Sequence, residues 1–466
     1  MTLPFRTDVP PLAGKRVTVM GLGLFGGGVG VTRWLVASGA RVTVTDTRTE
    51  AELRESVAAL RGLPVEFRLG GHDERDFREA DLVVMNPAVP PTHPLLPLAR
   101  AVDTEMNLFL KLCRAQTVVG VTGSNGKTTT TALIGEVLKK GLRRVWVGGN
   151  IGGSLLESAD AIRPEDLVVL ELSSFQLENL AALRRSPNVS VVTNLTPNHL
   201  DRHGTMEGYA AAKRQIVSCQ REGDVKVLNA DDPGVRAWKS AAPSRTYFFS
   251  LKERTGRGVL AQDEKLTLYT TGARFEIDVS RRRLPGTFNL ANMAAAAAAS
   301  FAAAGGRWEE WRESCEEVFN AFPGVEHRLE FVAEHGGVKY YNDSKATDPE
   351  AAIAALETLP GPFVLILGGF DKKVPFDVLA RTVAERPVRV AVLLGQTAPS
   401  IEAALRAQPR VPEIVHVSSL EEALRVPALP GETVLLSPAC ASWGMFRNFT
   451  ERGNAFKALV AARGGG

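Results

Sequence analysis

Short apolar runs rich in Val, Leu and Ile recur along this chain, each followed by glycine or a polar turn and then by a helical pattern. Unbroken runs of this kind are how strands buried on both faces read, and their alternation with helices calls for parallel sheets covered by helices. Residues 16–20, 41–45, 82–85, 118–121, 167–170, 189–193, 363–367, 388–394 and 433–436 carry the pattern. They form three groups. The first ends near a Pro-rich stretch at 90–97, read as leading toward a linker. The second ends after an Ala-rich helix expected at 292–304, around 322–324, and the third starts at Val325. Between 241 and 285 the pattern alternates, with β segments at 265–269 and 273–279, as in an antiparallel extension. An α/β fold of several domains follows, and 466 residues suit two to four domains at roughly 100–200 residues each.

Composition removes several classes of function. With 55 basic and 52 acidic residues the net charge is +3, too small for a nucleic-acid wrapper or a polybasic membrane binder. Cys113, Cys219, Cys315 and Cys440 form no CxxC pair, so neither a disulfide framework nor a zinc knuckle is indicated, and a reducing cytoplasm is the simplest compartment. The N-terminus lacks an apolar core of signal-peptide length. The charge-free stretch 290–306 is mostly Ala, too weakly apolar to insert stably in a membrane.

The sharpest local signal follows the run 118–121: Thr122-Gly123-Ser124-Asn125-Gly126-Lys127-Thr128, with a helix expected from about Thr129. A strand, a glycine-rich turn and a helix N-terminus let backbone N–H groups close around phosphate oxygens, while a lysine and a hydroxyl serve phosphate and Mg²⁺. The strict GxxxxGK[ST] spacing fails, because Val121 stands at its first position. A second cluster, Gly21, Gly23 and Gly26, matches GxGxxG, and Asp46 ends the next strand where an acidic residue could bind a ribose hydroxyl. These glycines could equally serve only close helix–strand packing.

Glu171 closes the run 167–170, and residues 194–203, which include His199, follow the run 189–193. Ligands of open α/β sheets sit outside the carboxyl ends of the strands, so both segments should converge on the Lys127 loop. A carboxylate and an imidazole there can hold Mg²⁺, although imidazole is a softer ligand than Mg²⁺ prefers. The alternatives are a hydrogen-bonded core histidine and a helix-start charge. Lys213 follows Tyr209 and an Ala run on one helix; its residues alone leave open a solvated lysine or a packed one aimed at the site.

Together these motifs resemble the Mur ligase family of peptidoglycan precursor synthesis, over essentially the whole length. The resemblance rests on 122–128, Gly148-Gly149-Asn150, ELSSFQLE at 171–178, NHLDRH at 198–203, 209–213, 288–292, His327-Arg328, NDSKAT at 342–347, GGFDK at 368–372 and 436–449. It implies an N-terminal Rossmann-like domain binding a UDP substrate (1–107), a central P-loop ATPase-type α/β domain (108–323) and a C-terminal Rossmann-like domain for the incoming amino acid (324–466). Implied substrates are ATP, UDP-N-acetylmuramoyl-L-alanine and D-glutamate, joined through an acyl phosphate with two Mg²⁺ ions, in a cytoplasmic monomer.

Residue by residue, the resemblance implies catalytic roles for Lys127, His199 and Lys213, the last as a carbamylated lysine. It implies ATP contacts from Gly123, Ser124, Asn125, Gly126, Lys127, Thr128, Thr129, Asn289, Asn292, Arg328 and Asp343, and metal ligation by Thr128, Glu171, His199 and Lys213. Leu24, Phe25, Asp46, Thr47, Arg48, Asn150 and Ser173 would meet the UDP substrate. Lys345, Thr347, Lys372, Ser442 and Phe449 would meet the amino acid, whose two carboxylates need cationic and hydroxyl donors. Two departures stand out: Phe25 and Gly28 replace a threonine and a serine of the first glycine loop, and Trp443-Gly444 replaces a leucine and an aspartate. Rival readings are a family relative adding another amino acid, a dehydrogenase built on the first glycine loop, and a non-catalytic UDP-sugar-binding regulator. The dehydrogenase leaves the Gly-Lys-Thr loop without a task, and the intact Lys127, Glu171, His199 and Lys213 speak against the regulator.

Overall fold

The computed structural model describes residues 3–463 apart from 24–25, 142, 152, 307–308 and 372–373, and only the backbone of Leu200, Asp201 and Glu350. The chain divides into two compact units, Met1–Arg281 with Phe288–Asn320, and Arg282–Thr287 with Ala321–Gly466. The first unit holds two sheets and the second holds one.

In the first sheet the strands lie in the order Val65–Leu69, Arg41–Asp46, Arg16–Met20, Leu82–Met85, Val102–Asp103, all parallel. The order reverses between Arg16–Met20 and Leu82–Met85, which opens a crevice at their carboxyl ends. The Pro-rich stretch at 90–97 therefore leads not out of the domain but to a last edge strand, where Val83 pairs with Val102. That strand has two residues, too few to announce themselves as a β pattern.

The second sheet runs Arg274–Asp278, Lys265–Tyr269, Gly258–Gln262, Arg245–Ser250, Val225–Asn229, Val189–Val192, Thr117–Thr122, Leu167–Glu171, Val145–Gly149. Its inner strands are buried on both faces, which is why 167–170 reads as an unbroken apolar run. The antiparallel extension is shorter than the alternating pattern suggests. Arg245–Ser250 still pairs in parallel with both neighbours, and only the last two pairings are antiparallel. Two helices start earlier than expected, at Lys127 and at Thr287. The second, Thr287–Ala303, has Ala294 to Ala299 without exposed surface; small side chains let it lie close to its neighbours on all sides.

The second unit carries a six-stranded sheet in the order Glu330–His335, Val338–Asn342, Thr433–Leu436, Phe363–Gly368, Val388–Leu394, Glu413–His416. Only the first pairing is antiparallel. Among the described residues no helix is long and apolar enough to cross a membrane.

Candidate active site

Thr117–Thr122 lies between Val189–Val192 and Leu167–Glu171, so the loop that follows it stands between the two neighbouring strand ends. Gly126 precedes the helix Lys127–Lys139 with φ +80°, and a Cβ there would come 2.3 Å from Asn292 Oδ1, so any other residue would be strained in this turn and would displace Asn292. The loop is braced by its neighbours. The N–H groups of Ser124 and Asn125 donate to the carbonyl and side chain of Asn194 at 3.0 and 2.8 Å, and Thr193 Oγ1 donates to the Asn125 carbonyl at 2.6 Å. Those two N–H groups are thus engaged by protein. Lys127 Nζ donates to the carbonyls of Gly123 and Ser124 at 2.9 and 2.8 Å, which folds the ammonium back over the loop. Thr128 and Thr129 are buried in the first turn of the helix. Asn292 accepts from Thr130 Oγ1 at 3.3 Å and donates to Asn289 Oδ1 at 3.2 Å, so both asparagines stand beside this loop.

Glu171 is paired in register with Val121 and Gly149 and is 2% exposed. Its Oε1 accepts from Asn150 Nδ2 at 2.8 Å, while Oε2 is buried with no hydrogen-bond partner among the described residues. A buried carboxylate oxygen left unpartnered costs free energy unless a cation or donor arrives. No group of three or more His, Cys, Asp or Glu among the described residues could hold a metal by itself. One carboxylate plus a threonine hydroxyl suits Mg²⁺, which usually takes one or two carboxylates together with substrate phosphates.

Lys213, on Met206–Ser218, is 1% exposed, which excludes the solvated-helix alternative. Its Nζ donates to the Gly123 carbonyl at 2.8 Å and lies 4.7 Å from the centre of the Tyr209 ring. Burial pulls its pKa well below that of an ordinary lysine. The Lys127 charge pulls it further, and Glu171 opposes both, so Lys213 is within electrostatic reach of both groups.

His199 is exposed, in a left-handed turn at φ +52°, with its ring 4.9 Å edge-on to Phe175. His203 Nε2 is 3.0 Å from Ser174 Oγ, and its ring packs on Phe175 and Tyr209. The Tyr209 hydroxyl in turn meets Ser124 Oγ at 3.1 Å. Ser173 caps the helix Ser174–Leu180 in a reciprocal capping box with Gln176, so part of its hydrogen-bonding capacity is used locally.

In the first sheet Asp46 is buried and accepts from the N–H groups of Gly23 at 3.2 Å and Arg48 at 2.9 Å, while Thr47 and Arg48 are exposed at the strand end. A Cβ on Gly28 would lie 2.1 Å from the Leu22 carbonyl oxygen. The glycine that departs from the family pattern is thus required by how tightly this loop is wound. Leu24, Phe25 and Lys372 lie outside the described residues.

The second unit gathers its own set at the carboxyl end of its sheet. Asp343 is buried beyond Val338–Asn342, accepting from Ser437 Oγ at 2.8 Å and the Leu329 N–H at 3.1 Å. Burial pushes its pKa up to about 7, against the pull of the Arg328 charge and these donors. Arg328 Nε is buried with no hydrogen-bond partner among the described residues. Lys345 Nζ lies 5.8 Å from the Phe449 ring centre; Thr347 stands on the same loop, and Ser442 is buried just beyond Thr433–Leu436. Trp443 packs edge-on against Phe370, ring centres 5.4 Å apart, which joins the departing Trp-Gly segment to the loop after Phe363–Gly368.

The structure also brings forward residues that the sequence reading left aside. Arg452 is buried and donates to the hydroxyl and carbonyl of Ser344 and to the Cys440 carbonyl, which pins the segments carrying Lys345 and Ser442. Nothing in its helix pattern distinguishes it from a surface arginine. Asp232 Oδ2 accepts from the Leu195 N–H at 2.7 Å and so steadies the segment that leads to His199.

Three family models match the chain in order: "Mur ligase MurD-like, N-terminal domain" over 15–107, "Mur ligase middle domain" over 121–300 and "Mur ligase, glutamate ligase domain" over 327–440. A UDP-N-acetylmuramoylalanine--D-glutamate ligase of Roseiflexus sp. (strain RS-1) is 46% identical over 466 residues, covering 96% of this chain and 99% of the relative. One from Symbiobacterium thermophilum is 46% identical over 458 residues, covering 96% and 98%. Among solved structures, the UDP-N-acetylmuramate-alanine ligase MurC of Thermotoga maritima matches with a TM-score of 0.62 at 20% identity, covering 96% of this chain and 100% of that one. The MurF ligase of Thermotoga maritima in complex with ADP matches with 0.57 at 18%, covering 99% of each. At such identities these two speak for the fold alone.

Proposed function

The chain belongs to the Mur ligase family, and from that premise we propose that it joins D-glutamate to UDP-N-acetylmuramoyl-L-alanine at the expense of ATP, in peptidoglycan precursor synthesis. The observation that carries the reading is full-length identity of 46% to relatives named for that reaction. It is supported by the gathering of Lys127, Glu171 and Lys213 at the carboxyl ends of neighbouring strands, with both lysines on the Gly123 carbonyl and Glu171 in register with Val121. The domain limits 1–107, 108–323 and 324–466, the cytoplasmic location and the monomeric state belong to the same proposal.

The first turn of Lys127–Lys139 receives the terminal phosphates, and Lys127 swings from its own loop carbonyls to offset their charge. Thr128 and the unpartnered oxygen of Glu171 would hold Mg²⁺ there, with His199 as a further ligand and a carbamate on Lys213 serving a second ion. Mg²⁺ held there would supply Lewis-acid polarisation of the transferring phosphoryl group and offset its charge. Asn289 and Asn292 are assigned to the adenine, Arg328 to phosphate and Asp343 to the ribose. Asp46, Thr47, Arg48, Leu24, Phe25, Asn150 and Ser173 hold the UDP substrate and present its carboxylate to the γ-phosphate. Attack of that carboxylate on the γ-phosphorus expels ADP and gives an acyl phosphate; the amine of D-glutamate, held by Lys345, Thr347, Lys372, Ser442 and Phe449, attacks its carbonyl carbon, and the amide forms as phosphate leaves and the amine loses a proton. Catalysis is then mostly positioning and electrostatics.

The test is product identity. Incubated with ATP, Mg²⁺, UDP-N-acetylmuramoyl-L-alanine and a panel of amino acids, the protein should yield by mass the D-glutamate adduct. A product with another amino acid, or none, overturns the assignment.

A further inference from the structure

We propose that Arg202 is a positioning residue that ties the sugar-nucleotide crevice of the first sheet to the turn bearing His199, and so sets where the substrate carboxylate is presented to the phosphate loop. The inference rests on the function proposed above. Arg202 lies on the single turn Leu200–His203, directly after His199. Its guanidinium donates to two successive carbonyls of the first domain, Ala88 at 3.2 Å and Val89 at 3.1 Å, and to Glu178 Oε2 at 3.3 Å. Its Cζ also lies 5.3 Å from the Phe175 ring centre, and Phe175 is the ring that His199 packs against.

The carbonyls it grips belong to a wall of the crevice. Asn86 follows Leu82–Met85, donates to the Gly21 carbonyl at 3.3 Å and accepts from the Ala88 N–H at 3.0 Å, so the segment 86–89 backs the glycine loop. The Arg202 side chain is only 12% exposed, unlike an arginine that merely decorates a surface helix. A planar fork of five donors can span two carbonyls and a carboxylate at once, which the compact ammonium of a lysine cannot. Arg202 is thus the shared member of two hydrogen-bonded groups, one shaping the crevice and the other shaping the His199 turn.

The experiment compares wild type with Arg202→Met, Arg202→Lys and Glu178→Gln, measuring kcat, KM for each substrate, ADP affinity by calorimetry and melting temperature. Wild type that forms no D-glutamate amide sinks the proposed function itself, whatever the variants do. With active wild type, Arg202→Met should lose on the order of tenfold to a hundredfold in kcat, with a raised KM for the UDP substrate. ADP affinity and KM for ATP should stay within about twofold, since the nucleotide loop is not touched. Arg202→Lys should recover little, and should Arg202→Met fail to fold it carries the same split. Glu178→Gln, which leaves both carbonyl contacts, should stay near wild type. The inference is overturned if both Arg202 variants keep kcat/KM for the UDP substrate near wild type, if ADP affinity falls in step with kcat, or if Glu178→Gln loses as much as Arg202→Met.

Discussion

Two buried ionisable side chains carry the most exposed claims at the scale of single residues. Lys213 has a pKa drawn well below the ordinary lysine value, by burial first and by Lys127 second, so its neutral amine is populated at a lower pH than a solvated lysine's. Only a neutral amine reacts with carbon dioxide. Protein equilibrated with isotopically labelled bicarbonate is expected to show a carbamate carbon by NMR that Lys213→Ala lacks; identical spectra would refute the carbamate. Asp343 makes a prediction of opposite kind. Its folded pKa is raised to about 7 from 3.8, so between those values the folded state binds the proton more tightly than the unfolded state. Its contribution to stability therefore declines as pH rises through that window and is lowest once the carboxylate is ionised and buried, a cost of up to about 4 kcal/mol. Asp343→Asn should raise the melting temperature relative to wild type more at about pH 8 than at about pH 5. An equal difference at both would mean that the side chain does not titrate in this way.

At the scale of elements, the glycine turns set the phosphate loop and the crevice. Gly126 combines a left-handed backbone with a close approach to Asn292. Gly126→Ala is expected to cost about 1–3 kcal/mol of stability and to raise KM for ATP several-fold, because Asn292 must yield. Normal KM and melting temperature would show that the turn relaxes freely. Gly28→Ser restores the hydroxyl that the family pattern carries, yet its Cβ would strike the Leu22 carbonyl, so it should raise KM for the UDP substrate; a lowered KM would contradict this reading of the loop. Much of this level was legible in sequence. Residues 16–20, 82–85, 388–394 and 433–436 read as strands and are strands with the same limits, since burial on both faces demands unbroken apolar side chains. The edges were not legible. Val65–Leu69 and Glu413–His416 are half-exposed with mixed polarity, and Val102–Asp103 is too short to show a period. The helix starts at Lys127, two residues before the expected Thr129, because a glycine in a left-handed cap, not a Ser or Asp, begins it.

At the scale of the whole molecule, the gathering of Lys127, Glu171 and Lys213 follows from strand order. Placing Thr117–Thr122 between Leu167–Glu171 and Val189–Val192 puts three carboxyl ends side by side, which the sequence reading anticipated from the general rule for open α/β sheets. Contacts that cross from one sheet to another, such as Arg202 to Ala88, leave no trace in local pattern, nor does the burial of Arg452. The central claim is that ATP is turned over at these strand ends, with release of phosphate, only when both other substrates are present. Its most direct test is phosphate release measured with each substrate withheld in turn, in wild type and in Lys127→Ala. One phosphate per amide bond, dependent on all three substrates and falling by at least about a hundredfold in the variant, is the predicted result. Substrate-dependent release at near wild-type rate in Lys127→Ala would contradict it.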